Sequence, residues 1–117
     1  MNPILFLQES AVQLPRFHTK AGEQFIDLVR IVYLKAQLNY TVFQLSDGEQ
    51  VVTSLSLGSY AALLESQGFI RIHKSYLLNL HYLQQCSLKP NHQLVLPDGK
   101  RAVIARRRRS MVKKIIK

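Results

Sequence analysis

The stretch FIRIHKSYLLNL, residues 69–80, sets Arg71, His73, Lys74, Ser75, Tyr76 and Asn79 close together in the chain. Those residue types raise three chemistries. Nucleophilic hydrolysis needs a serine presented to a base, but His73 and Ser75 stand two positions apart and no GxSxG-type elbow surrounds the hydroxyl. Metal binding needs ligands at set spacings. His18, His73, His81 and His92 form no HxH or HExxH pattern, and the lone Cys86 adds little. Non-catalytic binding of a polyanion is the third. For His73 there is also a plain structural reading, a histidine at a strand end that hydrogen-bonds the backbone of the next turn.

The second dense stretch is the C-terminal ARRRRSMVKKIIK, residues 105–117, within a chain of 117 residues and net charge +9. The charge is unevenly spread. Residues 1–70 hold four Lys and Arg against six Asp and Glu, whereas residues 71–117 hold twelve against Asp98 alone. Such asymmetry points to a polyanionic partner, either nucleic acid or an anionic membrane surface. Basic residues that merely keep the domain soluble are the bland alternative.

Other classes are excluded by composition. Length and a 47% apolar content suit one globular domain, residues 1–117, with a single core. No window approaches the ~18 to 20 apolar residues of a membrane span. The opening MNPILFLQESAVQL lacks a basic start and contains Glu9, so it makes a poor signal peptide. A single cysteine excludes an intramolecular disulfide, and Cys86 reads as a small packed hydrophobe in a reducing compartment. Cytoplasm is the expected location, and no cofactor is implied.

The elements that must position these side chains follow from periodicity. RFHTKAGEQFIDL reads as two short strands around Ala21-Gly22, and IVYLKA (31–36) and YTVFQLS (40–46) as two more separated by QLN. Asp47-Gly48 is a hairpin signal leading into EQVVTS (49–54). Leu57, Tyr60, Ala61, Leu63 and Leu64 recur at helical spacing, with Ser56 as N-cap and Gly68 as stop. FIRIH (69–73) returns to a strand. YLQQCSLK (82–89), QLVLP (93–97) and RAVIA (101–105) follow as strands, with turns at Pro90-Asn91 and Asp98-Gly99. Met111, Val112, Ile115 and Ile116 form one apolar stripe on a short terminal helix. A solvated tail needs no such stripe, so the helix should dock on the core and fix the preceding arginines in space.

On these residues the sequence resembles the LytTR-type DNA-binding domains, a family of bacterial transcription regulators. FIRIHKSYLLN is similar to their central signature, F-x-R-hydrophobic-H-(R/K)-S-Y-hydrophobic-hydrophobic-N. IVYLKAQLNYTVFQLSDG resembles the family's first hairpin, SLSLGSYAALLESQGF the helix before the signature, and LPDGKRAVIARRRR the final hairpin running into a Ser-Arg-Arg element. The resemblance covers about residues 16–116. It departs at Ala105, where serine is usual, and at Lys35, where an acidic residue is common. The missing hydroxyl removes one donor to phosphate.

The resemblance implies a mainly β fold: an elongated β-β-β sandwich of about ten short strands in three antiparallel sheets, with one internal and one C-terminal helix. It implies sequence-specific binding of double-stranded DNA, on repeated half-sites taken by two copies, by side chains from loops, as in a response-regulator output domain. Carried over, the DNA-binding residues are Asn39 and Tyr40, Lys74 with His73 and Ser75 beside it, and Arg106 and Arg107; Arg108 and Arg109 extend beyond the usual pair, and of these Arg109 joins the DNA-binding set. Asn79 and Tyr76 are expected to hold the signature loop in shape. Arginine can bond guanine O6 and N7 bidentately, lysine gives a point charge, and asparagine fits an adenine edge. No enzyme activity, small-molecule substrate or membrane partner is expected. A general RNA-binding module is the alternative; such readers usually expose aromatics, which here sit mostly inside apolar strand patterns. With 117 residues there is no room for a phosphoacceptor domain, so the chain reads as a stand-alone regulator or one domain of a larger protein.

Overall fold

The computed structural model describes residues 15–116. The strand β1 (Arg16–Thr19) hairpins into β2 (Gly22–Phe25). Next come β3 (Ile31–Gln37), β4 (Tyr40–Leu45) and β5 (Gln50–Thr53), then helix α1 (Leu57–Leu64). The signature segment forms β6 (Phe69–His73) and β7 (Tyr76–Asn79). Short strands β8 (Ser87–Lys89), β9 (Gln93–Val95) and β10 (Arg101–Val103) precede helix α2 (Arg109–Ile115). All strand pairs are antiparallel, and the molecule is elongated, measuring 54 × 32 × 25 Å.

The described strands form two hydrogen-bonded sheets, not three. One has seven strands in the order β2-β1-β5-β4-β3-β7-β6, and the other has the order β10-β9-β8. The merger has a local cause: β1 joins β5 through a single pair, Thr19 with Thr53, while β3 pairs along its length with β4 and through Tyr33–Lys35 with β7.

Instead of one core, the apolar residues divide into two clusters, one on each face of the large sheet. Leu57, Tyr60, Ala61 and Leu64 of α1 pack with Phe17, Leu34, Phe43 and Leu77 on one face. Val112 of α2 and Leu94, Ala102 and Ile104 of the small sheet pack with Tyr33, Ile72 and Leu78 on the other. Covering both faces explains why Ile31 to Leu34 are buried in an unbroken run, where a half-solvated strand would alternate. A bulge between Ile31 and Tyr33 also turns Val32 and Tyr33 towards the same cluster.

Helix α1 begins and ends as its sequence dictates. Ser56 Oγ accepts Ser59 N–H at 3.1 Å, and Gly68 takes φ +91° after a 3-10 turn. Leu63, which the spacing groups with the apolar face, is 61% exposed, because it lies off the stripe through Leu57, Tyr60, Ala61 and Leu64. The first half of the expected strand 82–89 is the end of a 3-10 helix, Leu80–Gln85, and only Ser87–Lys89 pairs. Its cause is Asn79, whose side-chain oxygen accepts His81 N–H and so winds the chain where a strand would continue.

Helix α2 docks as its stripe requires. Val112 is buried in the second cluster, and Met111, Ile115 and Ile116 lie half-buried against it.

Candidate nucleic-acid interface

Three chain segments meet at one end of the large sheet. The β3–β4 turn carries Leu38 and Asn39, and β4 begins at Tyr40. The β6–β7 turn carries Lys74 and Ser75, and it is tied to β3 by Ala36 N–H donating to Ser75 O at 2.9 Å. The third segment is the junction from β10 into α2. Strand β6 is an edge of the sheet, and at a bulge between Arg71 and His73 the carbonyl of Ile72 accepts Ala105 N–H at 2.7 Å. That single bond brings the four arginines alongside the signature turn.

Arg71 builds the turn. Its Nε donates to His73 O at 3.3 Å and its guanidinium donates to Lys74 O at 2.6 Å. His73 Nδ1 accepts Ser75 N–H at 3.1 Å, the strand-end role that its position suggests. An acceptor at Nδ1 leaves the ring proton on Nε2, pointing a donor away from the turn. With the backbone so occupied, Lys74 is held outward and exposed, its ammonium in no ion pair among the described residues.

Two shallow hollows flank Lys74 and Arg71. One, of about 350 Å³, is bordered by Leu38, Asn39, Tyr40, Gly58, Arg71 and Lys74. The other, of about 320 Å³, is bordered by Glu65, Arg71, His73, Lys74, Arg107 and Arg108. Of the expected residues, Asn39, Tyr40 and Lys74 therefore share one hollow, and His73, Lys74 and Arg107 the other. Ser75 supports the turn through its backbone. Arg106 is exposed and Arg109 half-buried, and neither borders a hollow; Arg109 Nε donates to Ile104 O at 3.2 Å.

The arginines do not leave directly from a strand. After β10 ends at Val103, Arg106–Arg108 form a 3-10 turn before α2 begins at Arg109. Three residues per turn put Ala105 and Arg108 in one row, so Arg108 faces the hollow. Neither Arg108 nor Arg71 belongs to the expected set. Arg71 has a readable signal: alternation along β6 places it with Phe69 and His73 on the α1 side.

Two expected supports behave differently. Tyr76 packs on Tyr33 with ring centroids 5.8 Å apart, near the signature turn. Asn79 works at the opposite end of β7. Buried there, its amide donates to Leu28 O at 3.1 Å and Ile31 O at 2.9 Å, pinning the start of β3 and not the signature loop.

The ion pairs among the described residues are Arg16 with Glu23 and Arg30 with Asp47 and Glu49. No described lysine or arginine beyond Arg30 has a described carboxylate within bridging distance, although Glu65 borders the second hollow. Lys20 stands 4.0 Å over the Tyr40 ring and adds another cation beside Asn39. Among the described residues no group of three or more potential ligands could hold a metal, and no helix is long and apolar enough to cross a membrane.

A mainly β domain with such a cationic end fits a binder of polyanions. The family model "LytTr DNA-binding domain" matches residues 23–117. Solved structures similar to this chain include the LytTr DNA-binding domain of a protein described as a methyl-accepting/DNA response regulator from Bacillus cereus. It superposes with a TM-score of 0.68 at 20% identity, covering 87% of this chain and 94% of that one. No curated protein matches. The chain belongs to the LytTR DNA-binding domain family, whose members are not enzymes but bind DNA in transcription regulation.

Proposed function

We propose that this domain reads specific sequences of double-stranded DNA with side chains presented by the three converging segments, and that two copies occupy repeated half-sites. Lys74 and Arg107, held by the stapled turn and the 3-10 junction, contact base edges. Asn39 reads an adenine edge, and Tyr40 packs on the sugar-phosphate backbone. His73 donates from Nε2 to a phosphate, and Ser75 supports the turn and offers its hydroxyl. Arg106 and Arg109, outside the hollows, neutralise phosphates, as does Lys20. A base contact needs fixed geometry, whereas a phosphate contact tolerates slack.

The observation that carries this reading is the convergence itself. Segments from residues 38–40, 71–75 and 105–109 meet at one end, with cations that have no carboxylate partner among the described residues. An RNA reader would need a stacking platform. Phe17, Tyr33, Phe43, Tyr60 and Phe69 are buried, Tyr76 packs on Tyr33, exposed Phe25 borders neither hollow, and Tyr40 already lies under Lys20.

Selection of bound sites from a random duplex pool, followed by salt titration, tests the proposal. Six to eight phosphate contacts give a log–log salt slope of roughly −5 to −7 on the selected duplex. Equal affinity for duplex, single strand and RNA, or a slope near zero, would contradict it.

A further inference from the structure

The tip of the β3–β4 turn is costly to the fold. Leu38 adopts φ +55° and is 92% exposed. A side chain with a Cβ resists this left-handed region, which glycine or asparagine enters readily. Elsewhere among the described residues it is occupied by Gly22, Gly48, Gly68, Gly99, Asn91 and His92, so Leu38 is the one apolar side chain placed there. Its exposed isobutyl group contributes no burial in return. Backbone strain and lost burial at one surface position, on the rim of the hollow shared with Asn39 and Lys74, call for a partner that covers it.

We propose that Leu38 packs on the C5-methyl group of a thymine in the major groove, making it a specificity-determining residue of this domain. The inference rests on the duplex-reading proposal above. The chemistry matches in detail. An A·T pair presents adenine N6 and N7 beside the thymine methyl on one major-groove edge, and the turn presents an amide, Asn39, beside an apolar branch, Leu38. Lys20 over Tyr40 and the outward ammonium of Lys74 flank the pair, placed for phosphates on either side of the groove. An anionic bilayer would also welcome an apolar tip ringed by cations. One leucine, however, offers too little apolar surface to hold a domain in a membrane, whereas one methyl contact suffices to tell thymine from the other bases.

The test begins with the best duplex selected from a random pool by the wild-type chain. Deoxyuridine then replaces each thymidine in turn, deleting only the methyl group. The wild type should lose roughly fourfold in affinity at one position per half-site, the worth of burying one methyl. Leu38→Asn and Leu38→Gly should bind the thymine and uracil duplexes alike at that position and keep the wild-type response elsewhere. Both should melt no lower than wild type, since each relieves the left-handed backbone, so a loss of discrimination cannot be blamed on unfolding. A uracil scan that is flat for the wild type overturns the assignment, as does a scan that Leu38→Gly reproduces. Binding to phosphatidylglycerol vesicles that vanishes in Leu38→Gly, with duplex affinity unchanged, would give the tip to a membrane instead. If no duplex sequence is enriched at all, the duplex-reading proposal falls and this one with it; enrichment with an indifferent Leu38 sinks this one alone.

Discussion

At one end of β4, Asp47 Oδ1 accepts Glu49 N–H at 2.9 Å, Gly48 takes φ +93°, and Arg30 reaches Asp47 at 3.2 Å and Glu49 at 3.8 Å. At the other end, Leu38 takes φ +55° fully exposed, and the Asn39 side chain forms no hydrogen bond among the described residues. The first turn uses the residues that turn chemistry favours and satisfies its own polar groups. The second leaves donors and an apolar group unspent. The same contrast runs through the whole molecule. At the Asp47 end lie the buried amide of Asn79, the Tyr82 hydroxyl bonded to Val29 O, and Tyr33 donating to Asp98 at 2.6 Å. At the Leu38 end lie Lys74, Arg106 and Arg107, all exposed. One end pairs its polar side chains within the fold, whereas the other keeps unpaired cations exposed, as the proposed DNA contact requires.

Substitutions at the two ends should separate these properties. The largest effect is expected from Asn79→Ala, which removes the side-chain bonds to Leu28 O, Ile31 O and His81 N–H and should cost ~2 to 4 kcal/mol of stability in a urea titration. Its folded fraction should keep the wild-type base preference. Lys74→Ala should do the reverse. Its ammonium has no ion-pair partner among the described residues, so stability should stay within ~0.5 kcal/mol, while the selected duplex binds ~1.5 to 3 kcal/mol more weakly. Next, Gly48→Ala should cost about 1 to 2 kcal/mol, because a Cβ at φ +93° is strained even with open space around it. If Leu38→Gly proves equally destabilising, the two turns are alike and the contrast is wrong.

A further effect concerns the interior. Burial, with the Asp98 charge second, pushes the Cys86 thiol from its usual 9.0 up to about 11, and burial raises Tyr33 and Tyr60 as well. Each group holds its proton more tightly folded than unfolded. Stability should therefore be constant with respect to these groups below pH 9 and fall as pH rises from 9 towards 11. Urea midpoints measured across that range check the sign. At pH 8 the folded chain should also react with iodoacetamide at least roughly tenfold more slowly than the unfolded chain. A stability that rises between pH 9 and 11 would contradict the burial argument.

Much of this division is legible in the sequence itself. The Ser56 cap, the Gly68 stop, the Asp47-Gly48 turn and the Val112 stripe are local signals, each set by neighbours a few residues away. The meeting of residues 38–40, 71–75 and 105–109 is expected only through family resemblance, since no local rule joins turns so far apart in the chain. Arg71 and Arg108 escape sequence reasoning as lining residues for two physical reasons. Arg71 works through the backbone carbonyls of its own turn, and Arg108 reaches the hollow because a 3-10 turn intervenes where the sequence suggests a direct strand-to-helix junction. Asn79 serves the other end of β7 from the one its motif suggests, because its partners, Leu28 O and Ile31 O, lie about fifty residues away. The two-cluster core follows from a β3 run buried on both faces, a pattern that composition alone cannot distinguish from a single core.

The central claim, that base reading belongs to the Leu38 end, is tested most directly by repeating the site selection with two single-charge variants. Arg107 borders the hollow beside Lys74, whereas Arg101 follows the Asp98-Gly99 turn at the other end and bonds Gln93 at 3.0 Å. Arg107→Ala should flatten the selected motif at one position per half-site, at ~1 to 3 kcal/mol for the best sequence. Arg101→Ala should return the wild-type motif unchanged. Two motifs that both match the wild type, with affinity lowered evenly over all duplexes, would show that this cationic end binds phosphate without reading sequence.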